Sequence, residues 1–439
     1  MDNTVLLGTS VADITPQKPV PLSGFGFRTG NFDSIRSPLC LRCFIFRYPS
    51  TDIVVFSADI LCWGRDTVAN CKDLLEKNYP DAGRSQFLFL ATHTHCAPSV
   101  SYSAAKAIGK ADSGYIAMLE QKILSSVKDA AQNIHRVSAV LYEGKTGIAV
   151  NRRLKTGQGL IMAPNPSGPK DNDIKLIEFY AAEPGGAFRE GETVAVWACA
   201  ACHPTASNEN RVDREFLVRG LDYYLEGSKA SGAFLQGCCG DVRPALIKDG
   251  EFFRGALDLE SEELARRFAE ELRSAKKGAG TPLQFNSEDL FSRSSAELPF
   301  NPDFPHKNRN DFVSRDDAIG EWARRFSDTP VPLSMPMDLS LFNLSGEIAF
   351  LFFSGEIVSE YSLYCRELSG GRVWAGAYAD GMTSYIPTAA QLKEGGYEAY
   401  DAMFYLMQPA PFAESSDLIL REKIKTTLAP LLLRPGFPG

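Results

Sequence analysis

Long hydrophobic runs are missing from this sequence. A membrane-spanning helix needs roughly 18 or more consecutive apolar residues. The longest apolar tracts here, 348–353 and 194–202, have only the length of strands. The N-terminus has no basic segment leading into an apolar one, so it does not read as a signal peptide. Positive charge is not in excess. Lysine and arginine total 46 against 54 aspartates and glutamates, for a net charge of -8 and a pI near 5.4. That balance excludes nonspecific nucleic-acid binding, which needs a basic face, while leaving room for a local basic pocket. Ten cysteines in 439 residues are too sparse for a disulfide framework. Cys40 and Cys43 form a C-x-x-C inside a strand-like run, which puts their thiols on opposite faces. Cys238 and Cys239 are adjacent, a poor geometry for a mutual disulfide. These thiols fit a reducing compartment, and the expected location is the cytoplasm. There is no low-complexity segment and no internal repeat.

Histidine is also scarce, with five in the chain, yet two of them fall within three residues. The stretch is Phe87-Leu88-Phe89-Leu90-Ala91-Thr92-His93-Thr94-His95. Its apolar half reads as a buried strand. If strand geometry persists, His93 and His95 point the same way and form half of a metal site. The plainer alternative is a polar strand end with two hydrogen-bonded histidines.

The composition, 44% hydrophobic and 23% charged, is that of a soluble globular protein large enough for a substantial core. Strands are expected at 5–14, 39–48 and 52–58, then a helix over 64–79 and the His93 strand. The clearest amphipathic helix covers 114–134, with Ile116, Leu119, Ile123 and Val127 on one face. Further strands are expected at 138–143, 176–180, 192–202, 233–236, 347–353 and 374–378, and helices at 213–230 and 260–276. The Gly-, Pro- and Asn-rich stretch 156–172 reads as loop. Residues 277–345 read as a less regular elaboration with one helix near 315–326, and the tail from 423 as a short helix with Pro-Gly turns. Mixed strands and helices predict an α/β fold: one large layered domain over 1–439, with mixed sheets and flanking helices.

Apolar strands repeatedly end in a polar residue: Asp59, His93, His203, Asp241 and Glu356. Ligands of open α/β sheets bind beyond the carboxyl ends of strands. A shared site built from these ends would offer two imidazoles and a carboxylate, a donor set suited to catalytic zinc. Each member also has a plainer role. His203 could cap its strand, Glu356 could serve the helix that follows it, and Asp241 could be a turn residue.

The order of motifs resembles the catalytic, N-terminal domain of the neutral/alkaline non-lysosomal ceramidase family. The similarity runs through Ala12-Asp13-Ile14-Thr15, Ala91-Thr92-His93-Thr94-His95 and Cys202-His203-Pro204-Thr205. It continues through Gly240-Asp241-Val242 with Pro244, then Gly355-Glu356, then Tyr385-Ile386-Pro387-Thr388 followed by Tyr397-Glu398. The resemblance spans about 6 to 400, and six motifs in order are more specific than any one alone. It implies one zinc ion per chain, held by His93, His203, Glu356 and the Tyr385 phenol. It implies that His95 handles protons beside the metal, that Arg152 polarises the substrate carbonyl, and that Tyr397 stabilises the oxyanion. Gly240 and Asp241 would lie along the substrate. Taken alone, Arg152 could equally be a surface charge and Tyr397 a core aromatic.

Two departures from the family pattern point to a ceramidase-like protein of bacterial type rather than a true ceramidase. Arg243 stands where the family has the serine that contacts substrate. A guanidinium there suits a carboxylate, a phosphate or a polar sugar-like group, unless it turns away into a salt bridge. The similar region reaches nearly to residue 439, so neither the immunoglobulin-like C-terminal domain of the family nor a secretion signal is expected. The expected activity is zinc-dependent hydrolysis of a C–N amide bond, or of an ester or lactone, in a small polar or anionic substrate by zinc-activated water. The alternatives are a true ceramidase, a zinc-dependent lyase or isomerase on a carbohydrate-like substrate, and a non-catalytic metal-binding scaffold. A small molecule is the expected partner, and the oligomeric state is open.

Overall fold

The computed structural model describes residues 3–285, 290–304, 312–327 and 331–433. Two sheets dominate. The larger has nine strands. Its order runs Ser231–Gln236, Thr193–Ala200, Asp173–Ala181, Ile134–Lys145, Val5–Asp13, Cys40–Arg47, Asp52–Ala58 and Ser85–Ala91, with Thr281–Pro282 paired onto Ile134–Lys145. The pair at each end of this order is parallel, and the pairs between are antiparallel. The second sheet runs Phe291–Pro299, Ser334–Phe342, Ala349–Phe353 and Val373–Gly376.

Side-chain alternation explains how the sheets stack. In Cys40–Arg47, Phe44 and Phe46 face one buried cluster, while Leu41, Cys43 and Ile45 face another. The first cluster lies between the two sheets. Trp197 stands edge-on to Phe46 from the same sheet at 5.1 Å, and to Phe350 from the other sheet at 5.7 Å. Such aromatic pairs contribute roughly 0.5–1.5 kcal/mol each beyond their buried area. The second cluster lies under helices. Ser113–Gln132 packs on the larger sheet, its first turn capped by Asp112 accepting from the Tyr115 amide. Ser359–Ser369 and Ser415–Leu432 pack on the smaller sheet. The result is a mixed α/β fold of stacked sheets with flanking helices, as the sequence predicts.

Several local expectations change. The stretch 156–172, expected to be loop, contains the strand Gly159–Asn165. It pairs with Ala149–Thr156, Thr156 opposite Gly159, so Gly157 and Gln158 make a two-residue hairpin turn. Gly159 supplies the left-handed backbone, with φ of 118°. The helix expected to reach 134 stops at Gln132, and Ile134 already opens a twelve-residue strand. The strand expected at 374–378 ends at Gly376. Residues 277–345 are more regular than expected: they supply two nine-residue strands of the smaller sheet, besides the helix Ala318–Phe326. Part of that segment lies outside the described residues, as do the Pro-Gly turns expected after 433. The tail before them is one helix of eighteen residues with Pro430 near its end. Among the described residues, no helix is long and apolar enough to cross a membrane. All ten cysteines are free thiols.

The two sheets meet at their strand ends. Isolated bridges join Leu90 to Ala379 and Gly237 to Gly376. The loops that follow Ser85–Ala91, Thr193–Ala200, Ser231–Gln236 and Ala349–Phe353 therefore converge at one place.

Candidate metal centre

His93 and His95 converge, but not by strand alternation. The strand stops at Ala91, and His93 takes a left-handed backbone with φ of 66°. A non-glycine residue held there is strained and must be over-determined by its surroundings. The Thr92 amide is tied to the Ala58 carbonyl, and the His93 ring stacks on Tyr378 at 3.8 Å. Tyr378 is also left-handed, with φ of 59°, and its hydroxyl lies 3.0 Å from Cys239 Sγ.

Each of three imidazoles is oriented through its Nδ1. The Nδ1 of His93 meets the Leu61 carbonyl at 2.7 Å, that of His95 the Gly24 carbonyl at 3.1 Å, and that of His203 the Cys239 carbonyl at 3.2 Å. A carbonyl only accepts, so each Nδ1 carries the proton and each Nε2 keeps a bare lone pair. Those lone pairs face one another. The Nε2 of His93 lies 3.1 Å from that of His203 and 3.4 Å from that of His95. The Glu356 Oε1 lies 3.3 Å from both His93 and His203 Nε2 and is buried without a hydrogen-bond donor.

Three lone pairs and an orphaned carboxylate oxygen cannot satisfy each other, and buried acceptors without a donor are costly. A cation resolves the conflict. Zinc–nitrogen bonds of 2.0–2.1 Å at tetrahedral angles put two ligand nitrogens about 3.3 Å apart, which is the spacing present here. The donor set of imidazole nitrogens and carboxylate oxygen also suits zinc. Burial and the neighbouring His93 hold both His95 and His203 well below the usual imidazole range, which keeps them neutral as ligands must be. Glu356 separates His95 from the other two, since its Oε1 pairs with the Nε2 of His93 and of His203 and not with that of His95, and exposure does so as well. His93 and His203 are each 1% exposed, and His95 is 8%.

The expected residues fall into two groups. Tyr385 lies opposite Glu356 in a short parallel pair, Glu356–Ile357 with Tyr385–Ile386. Burial and the Glu356 charge push its phenol well above the usual range. Arg152 is buried, not a surface charge. Its Nε donates to Glu398 Oε1 at 2.7 Å and its Nη2 to the Tyr385 hydroxyl at 3.2 Å. The guanidinium also lies over the Tyr397 ring at 5.4 Å, so Tyr397 is part of this cluster and no remote core aromatic. Tyr397 opens a short π-helical turn that ends at Asp401. Arg152, Tyr397, Ile161 and Met162 line an open cleft beside this cluster.

Two of the five polar strand ends do not join the site. Asp59 is fully buried in an ion pair with Arg42 at 2.9 Å, and it accepts from the Cys40 amide. Asp241 has both oxygens occupied. Oδ1 accepts from the amide and hydroxyl of Ser359, and Oδ2 from Asn151 and Gln391. Asp241 thus serves the first turn of the helix Ser359–Ser369, the job that the plainer reading gave to Glu356, and Glu356 is free for the site. The Asp241 carboxylate therefore has no oxygen left over for a substrate. Gly240 is a packing position: a Cβ there would lie 3.0 Å from the Glu356 carbonyl. Arg243 makes no salt bridge among the described residues, and its guanidinium lies over Phe253 at 4.9 Å.

Residues beyond the expected set also shape the site. Glu398 bridges Arg152 and Arg153. Although burial pushes its carboxyl up, the two guanidiniums hold it below the usual range. It sits inside the Tyr397-Glu398 motif, which is the only sequence signal for it. Tyr378 has none, since its role depends on two distant backbone turns. Gly24 brings its backbone against the His95 ring. A Cβ at Gly24 would lie 2.4 Å from the His95 Nδ1, and its φ of 104° excludes most side chains.

Behind His95 lies a buried carboxyl with a testable consequence. Glu215 accepts from the Ser207 amide at 3.1 Å and lies 3.7 Å from Cys96 Sγ. Burial and the Asp213 charge push it up to about 8 from 4.5. The unfolded chain loses this proton near pH 4.5 while the folded chain keeps it to about 8, so the folded state binds more protons between those values. Stability from this group is full below pH 4.5 and is lost as pH rises toward 8. Urea unfolding should show stability falling by up to about 3 kcal/mol from pH 6 to 8. Glu215→Gln should flatten that dependence, and an unchanged slope in the variant would refute the assignment.

No family model matches the sequence, and no curated protein does. Solved structures do match. One is described as neutral ceramidase from Pseudomonas aeruginosa, with a TM-score of 0.72 and 15% identity, over 100% of this chain and 77% of that one. Another is described as ceramidase complexed with C2, with a TM-score of 0.71 and 14% identity, over 99% and 77%. At such identities the likeness speaks for architecture: this chain has the neutral-ceramidase fold.

Proposed function

We propose that this protein is a zinc-dependent hydrolase that cleaves a C–N amide bond, or an ester or lactone, in a small substrate. One observation carries the reading: three Nε2 lone pairs and an orphaned Glu356 oxygen converge beside a buried arginine and two tyrosines. His93, His203 and Glu356 hold the metal, with Tyr385 beside Glu356 completing the set. When bound, zinc supplies a Lewis acid and a water acidic enough to lose its proton near neutral pH.

The chain's own groups do the rest. Arg152, fixed by Glu398, presents a preorganised cation toward the scissile carbonyl, and Tyr397 offers an O–H to the oxygen as charge develops there. His95 is the most exposed of the three imidazoles, and it carries a proton to the departing amine or alcohol. The cleft beside Arg152 and Tyr397 admits the substrate.

A second reading, an N-acyl sphingosine substrate, is favoured by the exposed Ile161 and Met162 along that cleft, which would take an acyl chain. A panel of N-acyl amino acids, N-acyl amino sugars, lactones and ceramides tests both. Hydrolysis should release one new carboxylate per turnover, carrying oxygen from labelled water. A product formed without that label refutes the hydrolase and points to lyase or isomerase chemistry. No turnover across the panel with zinc bound refutes catalysis on these classes.

A further inference from the structure

We propose that Arg243 anchors an oxyanion, a carboxylate or a phosphate group, at the far end of the substrate from the bond that is cut. The placement in the site rests on the hydrolase reading, while the anion affinity itself does not.

Arg243 lies in the short strand Val242–Pro244, directly opposite Val150 in Ala149–Thr156. Residues paired across a ladder share a face, and residues two apart on a strand do too. Arg243 therefore emerges on the face that carries Arg152. Its surroundings are unusual for a half-buried cation. The other arginines here are committed. Arg152 and Arg153 share Glu398, and Arg28 donates to the carbonyls of Ser23, His95 and Glu209. The Arg243 guanidinium has neither a hydrogen bond nor an ion pair among the described residues.

The charges that act on it make the point sharper. Burial and the like charge of Arg152 pull Arg243 down to about 10, and the opposing influences are only the Tyr385 phenol and the Cys202 thiol. No carboxylate is among them. The group stays cationic at neutral pH, so the charges of Arg152 and Arg243 oppose each other, and among the described residues no carboxylate offsets the second. Arg243 rests on the Phe253 ring, which supports the guanidinium plane without using its N–H groups. Those donors are left for a ligand. A guanidinium fork matches the paired oxygens of a carboxylate or phosphate, and an oxyanion beside it would also offset the repulsion from Arg152. The Phe253 strand is hairpinned with Ile247–Lys248 and lies against Gly159–Asn165, beside the substrate cleft. A substrate lying along that side puts its anionic end on Arg243 and its carbonyl near Arg152.

The test uses zinc-loaded full-length protein and calorimetric binding of three small amides: N-acetylglycine, N-acetylaminomethylphosphonate and the neutral N-acetylglycinamide. At least one anion should bind about tenfold or more tightly than the neutral amide. Arg243→Gln should bring the three within roughly twofold while zinc content is unchanged, and Arg243→Lys should keep part of the preference. The tighter of the two anions names the group. Equal affinities in the wild type, or a preference that survives in Arg243→Gln because the anion sits on the metal, overturns the proposal. Turnover of the same compounds separates the two readings. Anion preference without hydrolysis sinks the hydrolase and leaves this subsite, and hydrolysis of neutral amides without anion preference does the reverse.

Discussion

Dialysed against zinc and freed of excess metal, the protein should carry about one zinc per chain, and His93→Ala should carry almost none. The expectation follows from the convergence of Nε2 atoms on the buried Glu356 Oε1, with His93 at the centre, 3.1 Å from His203, 3.4 Å from His95 and 3.3 Å from Glu356. Removing it deletes the one donor that touches all the others. A bound metal contributes several kcal/mol of transition-state stabilisation, so hydrolysis of a chromogenic amide should fall by roughly 10³-fold or more. Zinc at about a hundred times its dissociation constant should also stabilise the wild type by about 2.7 kcal/mol, an increment absent from the variant. His95→Ala tests the asymmetry drawn from exposure: it should keep zinc and lose most activity. Loss of zinc in both variants would make His95 a ligand, and no zinc in the wild type would dismiss the centre altogether.

Arg152→Met should leave zinc in place and lower kcat by about 10²–10³-fold with a smaller change in KM, the loss typical of a preorganised donor that acts on developing charge. The substitution also strips Glu398 of one partner. Breaking a buried pair costs about 3–5 kcal/mol when the remaining charge is uncompensated. Arg153 still donates to the other Glu398 oxygen, so the cost here should fall at the low end of that range. Arg152→Lys should recover stability better than rate, because an ammonium cannot reach Glu398 and Tyr385 together. If Arg152→Met loses stability in urea unfolding but keeps kcat, the residue is structural and the proposed catalytic role is wrong.

Most of the fold was legible in the sequence. Apolar runs marked the strands of the larger sheet, and periodicity marked the helix Ser113–Gln132 within two residues at either end. The errors share a cause. The strand Gly159–Asn165 was hidden by glycine and proline around it, because its partner and its two-residue turn, not its own composition, make it a strand. The strands Phe291–Pro299 and Ser334–Phe342 were hidden because they are far apart in sequence and depend on one another for a partner.

The site divides in the same way. The sequence by itself determined which residues stood at strand ends and could bind a metal, because burial of a strand and the polarity of its end are local properties of the chain. It could not say which ends meet. Asp59 and Asp241 looked like Glu356 in sequence, yet Arg42 took the first and the start of the Ser359–Ser369 helix took the second. Only tertiary structure left the Glu356 Oε1 without a donor, turned His93 through a left-handed backbone onto Tyr378, and left Arg243 under the charge of Arg152 with no carboxylate paired to it among the described residues. The physical reason is that a side chain's chemistry depends on whether a partner satisfies it, and those partners come from other segments of the chain, 17 residues away for Arg42 and Asp59 and 118 for Ser359 and Asp241.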